Sequence, residues 1–176
     1  GCDIDDARGE ALKAGGGIPA STPSEAAKEA SFVVLSLLNS DIVKEGCFGQ
    51  DGIVQSAREG LIVIDTTTAR PEDSIETAEK LRELGVSFLD TSLSGSRDNI
   101  VALAGGDEGA LDKARPVIDT FARSCHYMGE SGKGARTKLI VNLISGLNRL
   151  VMAEGLVFGM KAGMDMESLL EVLMDT

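Results

Sequence analysis

The sequence predicts an α/β protein: a doubly wound, mostly parallel sheet, followed by an all-helical segment that one long helix opens. Three observations predict it. Short apolar runs rich in β-branched residues recur up to Gly129, amphipathic stretches with helix-start residues separate them, and beyond Gly134 the alternation gives way to unbroken helical sequence. Strand, helix, strand at this rhythm implies crossover connections, which pair strands in parallel.

The elements follow in chain order. GCDIDD reads as the end of a strand closing in acid, and DDARGEALKAG as a helix with an aspartate start and a glycine stop. PSEAAKEA is a second helix, opened by a proline. FVVLSLL (32–38), LIVID (61–65), VSFLD (86–90), IVALAGG (100–106) and CHYMG (125–129) read as strands. PEDSIETAEKLRELG and DEGALDKARPVIDTFAR supply helices between them. After Gly134 a helix is expected from about residue 135 to about 162, with a break at Gly163 and a further helix near Met166. Being apolar nearly all round, the long helix suits a place buried between bodies. The change of pattern puts a domain boundary near Gly129, dividing 1–128 from the start of a helical domain at 129–176.

Composition narrows the function. The 176 residues are 43% hydrophobic and 26% charged, the makeup of a soluble globular chain able to bury a core. A net charge of −11 opposes the counterion-releasing contacts that hold nucleic acid. No membrane span is expected either: Asn142, Asn148, Arg149 and Glu154 interrupt the most apolar stretch, and ionised groups are costly at a bilayer centre. Cys2, Cys47 and Cys125 are odd in number and widely spaced, which fits a reducing cytoplasm better than a disulfide framework. His126 is the single histidine and follows Cys125 on a predicted strand, where neighbouring side chains face opposite sides, so the two are poorly placed to pair. With no cysteine pair beside it, no first-row metal site is indicated.

The glycine-rich stretch GESGKGARTKLIVN (129–142) raises the question of a phosphate loop. It fails the triphosphate-binding pattern, because Ala135 follows Gly134 where a lysine is required. The dinucleotide fingerprint G-x-G-x-x-G is absent, and the glycines at 15–17 follow a helix rather than a strand. Asp3 admits two readings: a carboxylate at a strand end that accepts from ribose hydroxyls, or an ordinary turn or helix cap.

Taken together, the stretches resemble the β-hydroxyacid dehydrogenase family, whose members include 3-hydroxyisobutyrate dehydrogenase and tartronate semialdehyde reductase. CDIDDARGEALKAGG resembles the second strand and helix of its Rossmann-type domain, with Asp3 at the ribose position of members that use NAD rather than NADP. LSLLN (35–39) is similar to the stretch that passes the cofactor's pyrophosphate, through Leu38 and Asn39. IDTTTARP (64–71) places Thr68 by the nicotinamide ribose. FLDTSLSGS (88–96) is similar to the substrate signature, so Ser94, Gly95 and Ser96 are implied to hold the substrate carboxylate; Ser92 and Ser96 replace the usual proline and second glycine. Gly129, Gly132, Gly134, Lys138 and Asn142 match the remaining motif, in which Lys138 is the catalytic residue.

The resemblance implies an NAD-dependent enzyme that interconverts a small 3-hydroxyacid and its semialdehyde or keto acid, and that assembles as a homodimer or homotetramer. It also implies that a strand, a glycine-rich turn and a helix precede the sequence given, and that SGSRDNIVALAGG is several residues shorter than its counterpart.

The chemistry is intelligible from the residues. Lys138 and Asn142 are spaced i, i+4, so a helix presents them on one face. When a hydride leaves an alcohol carbon, the hydroxyl proton must leave oxygen. A lysine takes that proton where burial and neighbouring positive charge favour its neutral amine. The asparagine amide can donate to the substrate oxygen while accepting from the lysine. Two alternatives share this frame: a decarboxylating enzyme of the 6-phosphogluconate dehydrogenase kind, recognised by carbon dioxide release, and a non-catalytic dinucleotide-binding module.

Overall fold

Apolar runs, covered on both faces at the centre, build the sheet of the computed structural model, which describes residues 1–96 and 98–175. Its five strands, β1 (Phe32–Leu35), β2 (Ile62–Asp65), β3 (Ser87–Ser96), β4 (Asn99–Gly105) and β5 (Ser124–Gly129), lie side by side in that order. All four residues of β2 are buried, which explains why its sequence shows no polar alternation. Val63 and Phe88 pack on one face with Val43, Cys47, Ile53 and Leu81. Ile62, Ile64 and Leu89 pack on the other with Ala110, Leu111, Ala114 and Ile118.

The helices are α1 (Asp6–Ala14), α2 (Pro23–Ala27), α3 (Ser40–Phe48), α4 (Pro71–Arg82), α5 (Glu108–Ile118), α6 (Lys133–Lys161) and α7 (Met166–Asp175). Their starts are set locally: Asp5, Thr22, Asn39 and Asp107 each accept a hydrogen bond from a backbone N–H of the first turn. The sequence expectations omit α3. Its nine residues offer little periodicity, and the Asn39 cap that starts it reads equally well as part of a loop.

Pairing is parallel for β1–β2, β2–β3 and β4–β5, but antiparallel for β3–β4. Only residues 97 and 98 separate the paired Ser96 and Asn99, too few for the crossover a parallel neighbour needs. The strand expected at GCDIDD is not part of the sheet. Instead the Gly1 ammonium donates to the Ile18 carbonyl at 2.7 Å, the Ala20 N–H donates to the Gly1 carbonyl, and the next residues turn into α1. A strand is defined by its ladder, and those isolated contacts do not make one.

The chain divides into two compact units, Gly1–Lys138 and Leu139–Thr176, with α6 running unbroken from one into the other. In the second unit, Leu169 of α7 covers Gly159 so closely that an added methyl there would sit 2.6 Å away. Gly163, at φ +72°, ends α6 in the left-handed conformation. The long helix is not buried as its sequence suggests. Val151 is 71% exposed and Phe158 75%, and no residue of its most apolar window is buried among the described residues. An all-round apolar helix needs partners on several sides, and within this unit α7 supplies one. By length and composition alone α6 is also long and apolar enough to cross a membrane.

Candidate active site

Leu35, Asp65, Asp90 and Gly105 lie in one row across four strands. There the carboxyl ends of β1 and β2 are reached and β3 runs on without its β2 partner. In open α/β sheets, ligands bind outside this edge. The segments that leave the row contain most of the predicted site residues.

After β1, Leu38 is 81% exposed, and Asn39 caps α3 by accepting from Ile42 N–H at 3.0 Å. After β2, Thr68 is exposed, while its neighbours tie the edge together. Thr66 Oγ1 donates to the Leu35 carbonyl at 2.7 Å, and Thr67 Oγ1 accepts from Leu37 N–H at 3.1 Å. Ser92 Oγ approaches the Thr67 carbonyl at 3.5 Å. Thr67, which the sequence reading passed over, is therefore the buried post between three segments. The run of three threonines straight after a strand was its only signal.

Beyond Asp90, Thr91 to Ser96 pair with β4 alone. In an antiparallel ladder alternate backbone groups face away from the partner, so this stretch presents N–H groups on its open edge next to the half-buried Ser94. Gly95 adopts φ +108°, and a methyl on it would meet the Asn99 carbonyl oxygen at 2.0 Å. Ser96 is exposed and pairs with Asn99. Asp3 is not brought into this row: it is exposed, and its carboxylate accepts from Asp5 N–H at 2.9 Å in a local turn.

The glycines of GESGKGA have distinct physical duties. Gly129 and Gly132 take φ +116° and +85°, which glycine adopts without strain. At Gly134 the reason is contact: a methyl would lie 2.2 Å from the Asp90 carbonyl oxygen and 2.4 Å from that of Leu103. The first turn of α6 is thus pressed onto β3 and β4. Lys138 follows on the same face, since Gly134 and Ala135 precede it by four and three residues, and it is half-buried. Asn142 is exposed and lies one turn further along α6.

Two buried carboxylates, Asp65 and Asp90, sit side by side in the row, 1% and 2% exposed. Burial pushes Asp65 up to about 6; hydrogen bonds from Thr67 oppose the rise, and the Asp90 charge adds to it. Burial also raises Asp90, against bonds from the backbone of Ala135, Gly132, Asp90 itself and Gly134. Because folded Asp65 holds its proton more tightly than the unfolded chain, its stabilising contribution is complete below the ordinary value of 3.8 and is lost as pH rises to about 6. The loss is on the order of 3 kcal/mol. Asp65→Asn keeps an acceptor for the Thr67 N–H and is expected to remain stable where the native chain weakens. Urea midpoints that fall in parallel for both proteins between acid and neutral pH contradict this.

Elsewhere, an open groove of about 810 Å³ lies along α4 and the start of α5, between Glu79, Arg82, Phe88, Glu108 and Tyr127, and contains none of the predicted site residues. His126 is exposed and Cys125 half-buried on β5. Among the described residues no cluster of three or more histidine, cysteine, aspartate or glutamate side chains could hold a metal ion.

The chain is similar to known proteins along its whole length. Residues 1–129 match the profile of the NAD-binding domain of 6-phosphogluconate dehydrogenase, and residues 132–176 that of the NAD-binding region of NADP-dependent 3-hydroxyisobutyrate dehydrogenase. The chain belongs to the β-hydroxyacid dehydrogenase family. Within the family, it is 26% identical over 176 residues to 2-(hydroxymethyl)glutarate dehydrogenase of Eubacterium barkeri, covering 97% of this chain and 58% of that one. It is 29% identical to glyoxylate/succinic semialdehyde reductase 1 of Arabidopsis thaliana, covering 86% of this chain and 54% of that one. The fold superposes on Mycobacterium tuberculosis 3-hydroxyisobutyrate dehydrogenase, solved with L-serine, at a TM-score of 0.91 and 26% identity, across 100% of this chain and 61% of that one. The chain therefore spans little more than half the length of these family members.

Proposed function

We propose that the protein is an NAD-dependent oxidoreductase that interconverts a small 3-hydroxyacid and its semialdehyde or keto acid, with Lys138 as general acid and base. One observation carries the reading. The helix face bearing Lys138 is pressed against the sheet at the row from which the Ser94–Ser96 edge departs. Support also comes from the structural neighbour solved with L-serine, itself a 3-hydroxyacid.

In this reading the Ser94 hydroxyl and the open-edge N–H groups of residues 94–96 bind the substrate carboxylate. Lys138 Nζ takes the hydroxyl proton during oxidation and returns it during reduction, and the Asn142 amide orients the substrate oxygen. The nicotinamide dinucleotide, when bound, supplies the hydride acceptor. The exposed positions of Leu38, Asn39 and Thr68 at the carboxyl edge fit a role in holding it. So does the exposed carboxylate of Asp3, whose charge favours ribose hydroxyls over a 2′-phosphate and hence NAD over NADP.

The test is a panel of three- to six-carbon hydroxyacids offered to the full-length protein with NAD and with NADP. Reduced NAD is expected from at least one 3-hydroxyacid, without carbon dioxide. A preference for NADP contradicts the role given to Asp3. Carbon dioxide released in step with reduced cofactor replaces the reading by a decarboxylating one, and cofactor binding without turnover on any acid replaces it by a binding module.

A further inference from the structure

We infer that Asp90 is the positioning residue for Lys138: its buried carboxylate fastens the first turn of α6 to the strand that carries Ser94–Ser96. This rests on the reading of Lys138 as the base.

The two oxygens of Asp90 are used separately. Oδ1 accepts from Gly132 N–H and Oδ2 from Ala135 N–H, each at 2.8 Å. Both donors belong to the start of α6, where N–H groups lack partners inside the helix and the helix field favours negative charge. A helix is ordinarily capped from its own preceding residues. Here the cap comes from 42 and 45 residues away, on a different element. The capped helix therefore cannot turn about its axis or slide along it without breaking a bond to β3.

The geometry converts that constraint into a position for the amine. Ala135, which donates to Oδ2, lies three residues before Lys138, and Gly134, in contact with the Asp90 carbonyl, lies four before it. The face held to the strand is the face that bears the lysine. On the strand side, Ser94 follows Asp90 by four residues, so base and substrate edge are both referred to one carboxylate. Two further contacts limit tilting: Gly132 packs against Ile75, and Arg136 pairs with Glu72, both on α4. Neither ties the helix to β3, and the ion pair is largely exposed.

Asp90→Asn isolates the clamp. An amide accepts at one atom only, so one of the two N–H groups is left facing an NH2 group of nearly unchanged shape. In full-length protein, kcat per cofactor-binding site is expected to fall about 10- to 100-fold, as for a base displaced by around an ångström, with KM for the hydroxyacid and Kd for NAD changed less than about threefold. A purely structural role lowers the number of binding sites and leaves kcat per site intact, and that result overturns the inference. Should Asp90→Asn not fold, Asp90→Glu keeps the charge at the wrong length, and the same two outcomes are read on it.

A second readout needs no turnover. With lysines carrying 13C-methyl groups, the Lys138 resonance, identified by its loss in Lys138→Arg, is expected to move in Asp90→Asn while those of Lys13 and Lys113 stay fixed. An unmoved Lys138 resonance overturns the positioning role. Native turnover in Lys138→Ala overturns the reading of the base instead, so the two failures are distinguishable.

Discussion

Lys138→Ala is expected to lower kcat of the full-length protein by about 10²- to 10⁴-fold, the usual worth of a positioned general base. In the proposed reaction, removing the amine leaves the hydroxyl proton without an acceptor at the moment the hydride departs. The change leaves the proposed binding surfaces untouched, because Leu38 and Asn39 follow β1, Thr68 follows β2 and Ser94 lies in the far half of β3. Kd for NAD and the melting temperature are therefore expected to stay near native values. Lys138 is half-buried and makes no ion pair among the described residues, so its loss strands no buried charge. A folded variant with native turnover removes Lys138 from the chemistry.

Gly134→Ala is expected to be strongly destabilising. The added methyl would lie 2.2 Å from the Asp90 carbonyl oxygen, 2.4 Å from the Leu103 carbonyl oxygen and 2.8 Å from Gly105 N. All three are backbone atoms of central strands, which cannot rotate aside as a side chain can. Overpacking of this kind costs about 1–3 kcal/mol where the surroundings relax, and here they do not, so a loss of about 3 kcal/mol or more is expected in urea unfolding. Gly146 is the control: nothing lies within 4 Å of a methyl there, and Gly146→Ala on the same helix is expected to be neutral or mildly stabilising. Equal midpoints for Gly134→Ala and the native chain contradict the packing described.

The same glycine shows what the sequence made legible and what it did not. That GESGKGA turns into a helix bearing Lys138 and Asn142 follows from spacing, because i, i+4 is a local relation. That the turn is held by Asp90 depends on partners more than forty residues away, which no window of sequence brings together. The central strands were legible because burial on both faces leaves an unbroken apolar run, as in Ile62–Asp65. The far half of β3 was not: Thr91, Ser92, Ser94 and Ser96 are small and polar, and only pairing with β4 makes them strand. Asp3 shows the opposite failure, since a strand-like local pattern does not form a strand without a ladder to join. Thr67 was hidden by its position, adjacent to the threonine the family resemblance selects and distinguished from it only by burial.

The central claim is that the Lys138 amine carries the substrate's proton, and the most direct measurement is rescue of Lys138→Ala by added primary amines. The account predicts turnover that returns with amine concentration and rises with amine basicity among compounds of equal size. A folded, NAD-binding variant whose residual rate ignores every amine, or whose rate is native without them, contradicts it.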